Sequence, residues 1–214
     1  MISVNCIWFR HDLRVHANPA LDAARKKNEP TLAVYAVTPA TWEAHDWSQA
    51  KVHFVKAELA RLTAELHTLN IPLHILELQT FAELPEAFKG FFKQHQVTDL
   101  YVNRHYGLDE RRCETAIQKN TSVQWHFFNG NWLLAPEKAL NQQGKPYHVF
   151  TAYKRHVLSQ LPPYFESTLG ESEATQKLQA FCKNGLADYP SQRDFPNLEG
   201  TSRLSHYLAQ GILS

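Results

Sequence analysis

The chain has 214 residues, 43% of them hydrophobic and 20% charged, and its formal net charge at pH 7 is +1. That balance excludes a disordered or fibrous chain, and the length allows one good core with a small appendage. A charge so near zero exerts no global pull on nucleic acid, so any DNA contact has to come from a local patch or from a part outside this sequence.

Cys6, Cys113 and Cys182 are too few and too widely spaced for a disulfide framework or a zinc site, so each is expected to be reduced and packed. Arg10 and Asp12 follow the first short apolar run, which leaves no signal-peptide core, and no segment approaches the length of a membrane span. The expectation is a cytoplasmic monomer without a membrane partner.

In chain order, short β-branched runs alternate with longer amphipathic ones. Val4–Phe9 reads as a buried strand, and Asn18 with Pro19 supplies an N-cap and a first-turn proline for a helix to about residue Lys27. Thr31–Val37 is a second strand. Val52, Val55, Leu59, Leu62, Leu66 and Leu69 recur by threes and fours, which predicts a helix with one stripe against a sheet. Leu73–Leu78 follows as a strand, and Leu84, Phe88, Phe91 and Phe92 mark a helix. Asp99–Asn103 is a strand, Asp109–Lys119 a helix, and the stretch from Val123 to Phe127 alternates as a fifth strand. Strands separated by crossover helices imply an α/β fold, a doubly wound five-stranded parallel sheet with right-handed connections.

After Asn129 the rhythm breaks into a loop holding Gly130, Pro136, Gly144 and Pro146, followed by a helix from about Thr151 to Gln160 expected to pack on the sheet domain. Leu161-Pro162-Pro163 ends it. Residues 1–160 are thus taken as one domain, 161–170 as a linker, and 171–214 as the leading edge of a larger domain, since so short a segment rarely makes its own core.

In such a sheet, ligands lie beyond the carboxyl ends of the strands where strand order reverses. The loops there carry Arg10, His11, Asp12 and Arg14, then Trp42, His45 and Trp47, then Asn103, Arg104, His105, Tyr106, Asp109 and Glu110. Indoles beside a carboxylate acceptor suit a flat heteroaromatic ring with N–H donors, such as a pterin; ordinary surface polar groups are the plainer alternative. For the stretch from Trp8 to Arg14 the plainer reading is a buried strand end whose Asp12 pairs with an arginine to pin the turn. For Asp109 and Glu110 it is the acidic preference of a first helical turn. Gly200-Thr201-Ser202-Arg203-Leu204-Ser205 places a glycine, hydroxyls and a guanidinium at the head of a helical pattern, which suits a diphosphate or a simple cap. The histidines show no i,i+4 pairing with a carboxylate for a metal. A Gly-x-Ser-x-Gly elbow, a phosphate loop and a Gly-x-Gly-x-x-Gly fingerprint are all missing.

Two separated motifs carry a family resemblance. Trp8-Phe9-Arg10-x-Asp12-Leu13-Arg14, followed by His16-x-Asn18-x-Ala20-Leu21, resembles the N-terminal signature of the photolyase/cryptochrome family. Arg193-Asp194-x-Pro196 with the run from Gly200 to Ser205 is similar to the entry into that family's flavin domain. The resemblance spans essentially the whole chain and is nearest to bacterial cyclobutane-pyrimidine-dimer photolyases with a folate antenna, through Thr38-Pro39-x-x-Trp42-x-x-His45 and Asp109-Glu110-Arg111.

It implies that His45, Asp109 and Glu110 contact 5,10-methenyltetrahydrofolate. It also implies that Tyr189, Thr201, Ser202, Arg203, Leu204 and Ser205 contact FAD, and that Arg193 lies toward damaged DNA. No side chain needs to be catalytic; the implied parent activity is light-driven repair by an antenna and reduced FAD. The chain is expected to stop where the helical FAD domain begins, to be inactive alone and not to retain FAD. Two positions depart from the family pattern: Ala17 stands where aspartate is usual, and Asp109 where folate-using relatives often have asparagine. An ionised aspartate accepts hydrogen bonds but donates none. A cryptochrome-like photoreceptor fragment and a stand-alone pterin- or nucleotide-binding module are the alternatives.

Overall fold

The structure is a computed structural model that describes residues 3–130, 134–160, 172–194 and 198–209. Five strands, β1 (Val4–Phe9), β2 (Thr31–Val37), β3 (Leu73–Glu77), β4 (Val97–Asn103) and β5 (Gln124–Phe128), form one sheet of order β3-β2-β1-β4-β5. Every pairing is parallel. The chain winds outward from β1 to β3, then returns to place β4 on the other side of β1. The switch point therefore falls between β1 and β4.

Both faces are covered, which is why the central strands are continuously apolar. Ile7, Phe9, Ala33, Tyr35 and Tyr101 face α1 (Pro19–Lys26) and, after the short α2 (Pro39–Ala44), α3 (Gln49–Thr68), whose Val55, Leu59, Leu62 and Leu66 are buried. The alternate residues Cys6, Trp8, Leu32, Val34, Leu100 and Val102 face α4 (Leu84–His95) and α5 (Leu108–Asn120) through Phe88, Phe91, Phe92, Cys113 and Ile117. Asn18 caps α1 as expected, its Oδ1 accepting the Leu21 N–H at 3.2 Å. The residues from Pro39 to Ala44 form α2 where a loop was expected; six residues are too few to show a period.

The β1–α1 loop closes on a buried polar knot. Asp12 is 1% exposed, and its carboxylate accepts the Arg10 backbone N–H at 2.8 Å and Asn103 Nδ2 at 2.7 Å. Asn103 also donates to Asn18 Oδ1 at 2.8 Å. The stretch from Trp8 to Arg14 is thus a pinned strand end, but its carboxylate is held by an amide N–H and asparagine rather than by an arginine. The Arg10 guanidinium goes instead to Glu114 and to the Asn103 carbonyl, both at 2.6 Å. Arg14 donates to the carbonyls of Ala17 and Gly130. Gly130 has no room for a Cβ, which would overlap the Asn103 amide.

Beyond the sheet, α6 (Phe150–Gln160) holds no buried residue, so the expected packing on the sheet domain is not made through a buried face. His156 Nε2 meets the Lys138 carbonyl at 2.7 Å, and Tyr147 packs on Tyr153 and His156. Residues 161–170, expected as a linker, lie outside the described residues, as does Pro196. Three further helices follow: α7 (Ser172–Asn184), α8 (Tyr189–Gln192) and α9 (Ser205–Ala209). Ala174, Leu204 and Tyr207 join the core beside α3, with Tyr207 edge-on to Phe54 at 5.6 Å. The segment expected to begin a second domain therefore shares its buried residues with the first. Gly200 is needed there, because a Cβ would fall 2.6 Å from Gln192 Cβ. Cys182 is exposed, contrary to the packed thiol expected; Cys6 and Cys113 are buried.

Ala17 is exposed with φ 46°, in the left-handed region where an alanine Cβ is crowded. Asparagine tolerates that region, so Ala17→Asn is expected to raise unfolding stability by about 0.5–1 kcal/mol. Urea denaturation measures it, and a loss of stability would show that the turn does not hold this conformation.

Candidate functional site

Strands β1 and β2 and the loop after β4 deliver their carboxyl ends to one cleft, whose empty volume including its mouth is about 650 Å³. Trp8, Phe9, Tyr35 and Ala36 come from the strands, and Trp42, His45 and Trp47 from α2 and the turn after it. Helix α2 brings its indole inward because Pro39 starts the turn and Trp42 is its one buried residue. Trp42 then stacks on Trp47, with ring centroids 4.9 Å apart and planes 6° from parallel. Lys51 Nζ sits 3.7 Å from the Trp47 ring centroid. The wall is flat, apolar and fixed, which suits a planar ring.

His45 and Glu110 both line this cleft, and Asp109 adjoins it, 3.7 Å from His45 Nε2. Asp109 also pairs with Arg112 at 3.2 Å on the surface. Both acids lie in the first turn of α5, where the helix end favours them. Glu110 does more than follow that preference. Its carboxylate folds back over the α5 N-cap Gly107, into space that a Cβ there would overlap, and so stands at the cleft wall.

The residues given to FAD lie elsewhere, and none of them lines the cleft. Tyr189 is half-buried, edge-on to Phe181 at 5.9 Å, with the Arg193 guanidinium 5.7 Å from its ring centroid. Arg193 is exposed and lies 3.6 Å from Asp194. Thr201, Arg203 and Ser205 are exposed and Ser202 half-buried, while Leu204 points into the core. Arg203 has φ 52° and pairs with Glu199 at 3.2 Å. Sequence reasoning missed Phe81 and Cys113 in the cleft wall. Cys113 follows Glu110 by three on α5 and so shares its face, a signal available from spacing alone.

The cleft electrostatics are unusual for a region with two imidazoles. His11 and His105 pack edge to face, with centroids 4.8 Å apart, beside the Arg10 guanidinium. Burial pushes His105 down to about 2, helped by Arg10 and His11. Burial also lowers His11, with Lys51 and Arg10 adding to the effect while Glu110 and Asp12 oppose it. Burial pushes the Cys113 thiol up to about 12, so it stays protonated. Arg10 Nε and Thr38 Oγ1, on two residues that line the cleft, are buried with unused hydrogen-bonding capacity. A ring bearing a carbonyl and an N–H edge fits walls of this kind. Among the described residues, no group of three or more His, Cys, Asp or Glu could hold a metal ion. No helix among them is long and apolar enough to cross a membrane.

A histidine held neutral in the fold but protonatable when unfolded weakens the fold as acid is added. Its stability is complete above the ordinary value near 6.5 and declines as the pH falls from there toward about 2. Thermal melts at pH 7 and pH 5 are expected to show a smaller drop for His105→Gln than for the parent chain. An equal drop in both would place His105 in contact with solvent protons.

Residues 5–174 match the family model described as DNA photolyase. The deoxyribodipyrimidine photo-lyase of Salmonella typhimurium is 34% identical over 97% of this chain and 52% of its own length. That of Escherichia coli is 32% identical over 100% of this chain, again 52% of its own length. The chain thus spans about half the length of the curated relatives it matches. Among solved structures, a bacterial class III photolyase from Agrobacterium tumefaciens aligns at TM-score 0.73 and 21% identity, covering 99% of this chain and 51% of that one. A Synechocystis cryptochrome aligns at TM-score 0.77 and 18% identity, covering 100% and 54%. These likenesses show the fold, a photolyase/cryptochrome N-terminal α/β layer. With a family match across most of its length and relatives above 30% identity, the chain belongs to the DNA photolyase family.

Proposed function

We propose that this chain is the N-terminal, antenna-holding portion of a deoxyribodipyrimidine photo-lyase, and that its cleft takes the pterin of 5,10-methenyltetrahydrofolate. The observation that carries this reading is the convergence of His45 and Glu110 on an indole-walled cleft at the switch point, with Asp109 beside them. The Glu110 carboxylate accepts from the pterin N–H edge. Trp42 and Trp47 supply a planar apolar surface, and the neutral His11 and His105 add no competing charge. Bound folate supplies light absorption; the protein contributes orientation and a dry, rigid wall.

Tyr189, Thr201, Ser202, Arg203, Leu204 and Ser205 are proposed as the first edge of an FAD site, and Arg193 as a residue facing damaged DNA. Thr201 and Ser202 precede α9 with hydroxyls not committed to the core, which supports this assignment. Leu204 would act by fixing the turn through its buried side chain. A cryptochrome-like photoreceptor is the second reading, favoured by the fold likeness to the Synechocystis protein.

The test joins this chain to the second half of the Salmonella typhimurium relative and titrates the folate. Glu110→Gln is expected to weaken binding about ten- to a hundredfold, the loss of a buried charge-assisted hydrogen bond. Unchanged affinity would mean that the carboxylate only caps its helix.

A further inference from the structure

Most of the histidines described so far have a partner. His126 Nε2 meets Asp99 at 2.7 Å, His156 Nε2 meets the Lys138 carbonyl at 2.7 Å, and His11 and His105 lie together in the cleft. His74 and His95 are different. His74 stands on β3, an edge strand of the sheet, and His95 is the last residue of α4. Their ring centroids are 4.6 Å apart with planes 57° from parallel, and Phe91 backs both, 5.4 Å from His74 and 4.5 Å from His95. Among the described residues neither imidazole makes a hydrogen bond or an ion pair. Both residues are half-buried, so solvent reaches the pair.

We propose that His74 and His95 together chelate one divalent ion of a late first-row transition metal, Cu(II) or Ni(II) in class, with water in the remaining positions. Two imidazoles bound at a right angle to one ion, each at about 2.1 Å, bring their ring centroids to about 4.5 Å. The separation of 4.6 Å matches that arrangement. A right angle is what square or tetragonal Cu(II) and Ni(II) prefer, whereas tetrahedral Zn(II) would spread the rings to about 5.2 Å. Burial lowers the His74 pKa and the charge of His95 adds to the shift, so a lone pair is ready at neutral pH. No third His, Cys, Asp or Glu among the described residues joins them, so the protein supplies two ligands and leaves the site open. A cluster built only for packing would gain nothing from ring nitrogens that no protein group uses. The ion would tie β3, which pairs only with β2, to the last turn of α4. Neither histidine lines the cleft, so the inference is independent of the folate reading.

The probe is nickel(II) chloride, followed by isothermal titration calorimetry at pH 7.5 on the whole chain with Cys182→Ser, which removes the exposed thiol as a competing ligand. One ion per chain is expected. His74→Phe and His95→Phe keep a ring against Phe91 but remove the ligating nitrogens. Each is expected to weaken the site about a hundredfold, because the second imidazole acts as an attached ligand at high effective concentration. His53 is exposed on α3 outside the pair, and His53→Ala is expected to leave affinity unchanged. Bound nickel is expected to slow amide hydrogen exchange across Leu73–Glu77 in the parent and in neither Phe variant. Circular dichroism controls for folding, and His74→Gln and His95→Gln provide a second pair of replacements. No binding at 1 mM nickel would overturn the proposal. So would affinity unchanged in both Phe variants, which would place the ion on other histidines, or a loss in only one of them, which would make the site a single imidazole. Unaltered exchange in β3 would overturn it as well, since an ion held by both residues must tie the strand.

Discussion

The carboxylate of Asp12 is buried beneath the switch point, and the architecture around the cleft depends on its being fully held there. A buried charge without hydrogen bonds costs several kcal/mol, so the Arg10 N–H and the Asn103 amide are conditions of folding at this point. Asn103 ends β4, Arg10 follows β1, and Asn18 opens α1, so one carboxylate fixes the mutual position of three elements. Gly130 completes the arrangement by lacking the Cβ that would displace Asn103, and its carbonyl receives Arg14. Where β1 and β4 part, this knot provides a rigid floor, and the cleft opens above it.

That floor explains why the cleft can be polar in composition yet nearly neutral in effect. Arg10 spends its charge on Glu114 and lies 4.5 Å over the Trp8 ring centroid, so its guanidinium is both paired and stacked. The same cation, together with burial, keeps His105 uncharged. The result is a pocket whose main uncommitted charge is the Glu110 carboxylate. One carboxylate, rather than a field of charge, is thus what the cleft offers to an N–H donor, beside the flat surface of the stacked indoles.

The remaining parts divide the labour differently. Leu204 and Tyr207, three residues apart, anchor the last described helix against α3, so the turn that precedes it is positioned by the sheet domain itself. In contrast, α6 buries no residue, and its Phe150, Tyr153, Lys154 and Arg155 are exposed. A near-zero net charge is therefore compatible with a local cationic surface, because the acids sit on other elements.

Much of this was legible in the sequence. The strands, their order along the chain and the helix stripes follow from periodicity, because a residue that faces a sheet must recur with the period of its own element. The gathering of polar loop residues at strand ends, and of His45, Asp109 and Glu110 among them, followed from topology and family pattern. What period and motif could not supply was partner choice. That Asp12 binds amides rather than a guanidinium, that Glu110 turns to the cleft while Asp109 turns outward, and that α2 is helical over only six residues are all decided by contacts between segments far apart in sequence. The sharing of one core by the first and last described segments is of the same kind, since Tyr207 and Phe54 are neighbours only in space. Local sequence determined which surfaces each element could bury; the tertiary structure decided which groups meet, because burial of a polar atom is settled by the one arrangement that satisfies all its neighbours at once.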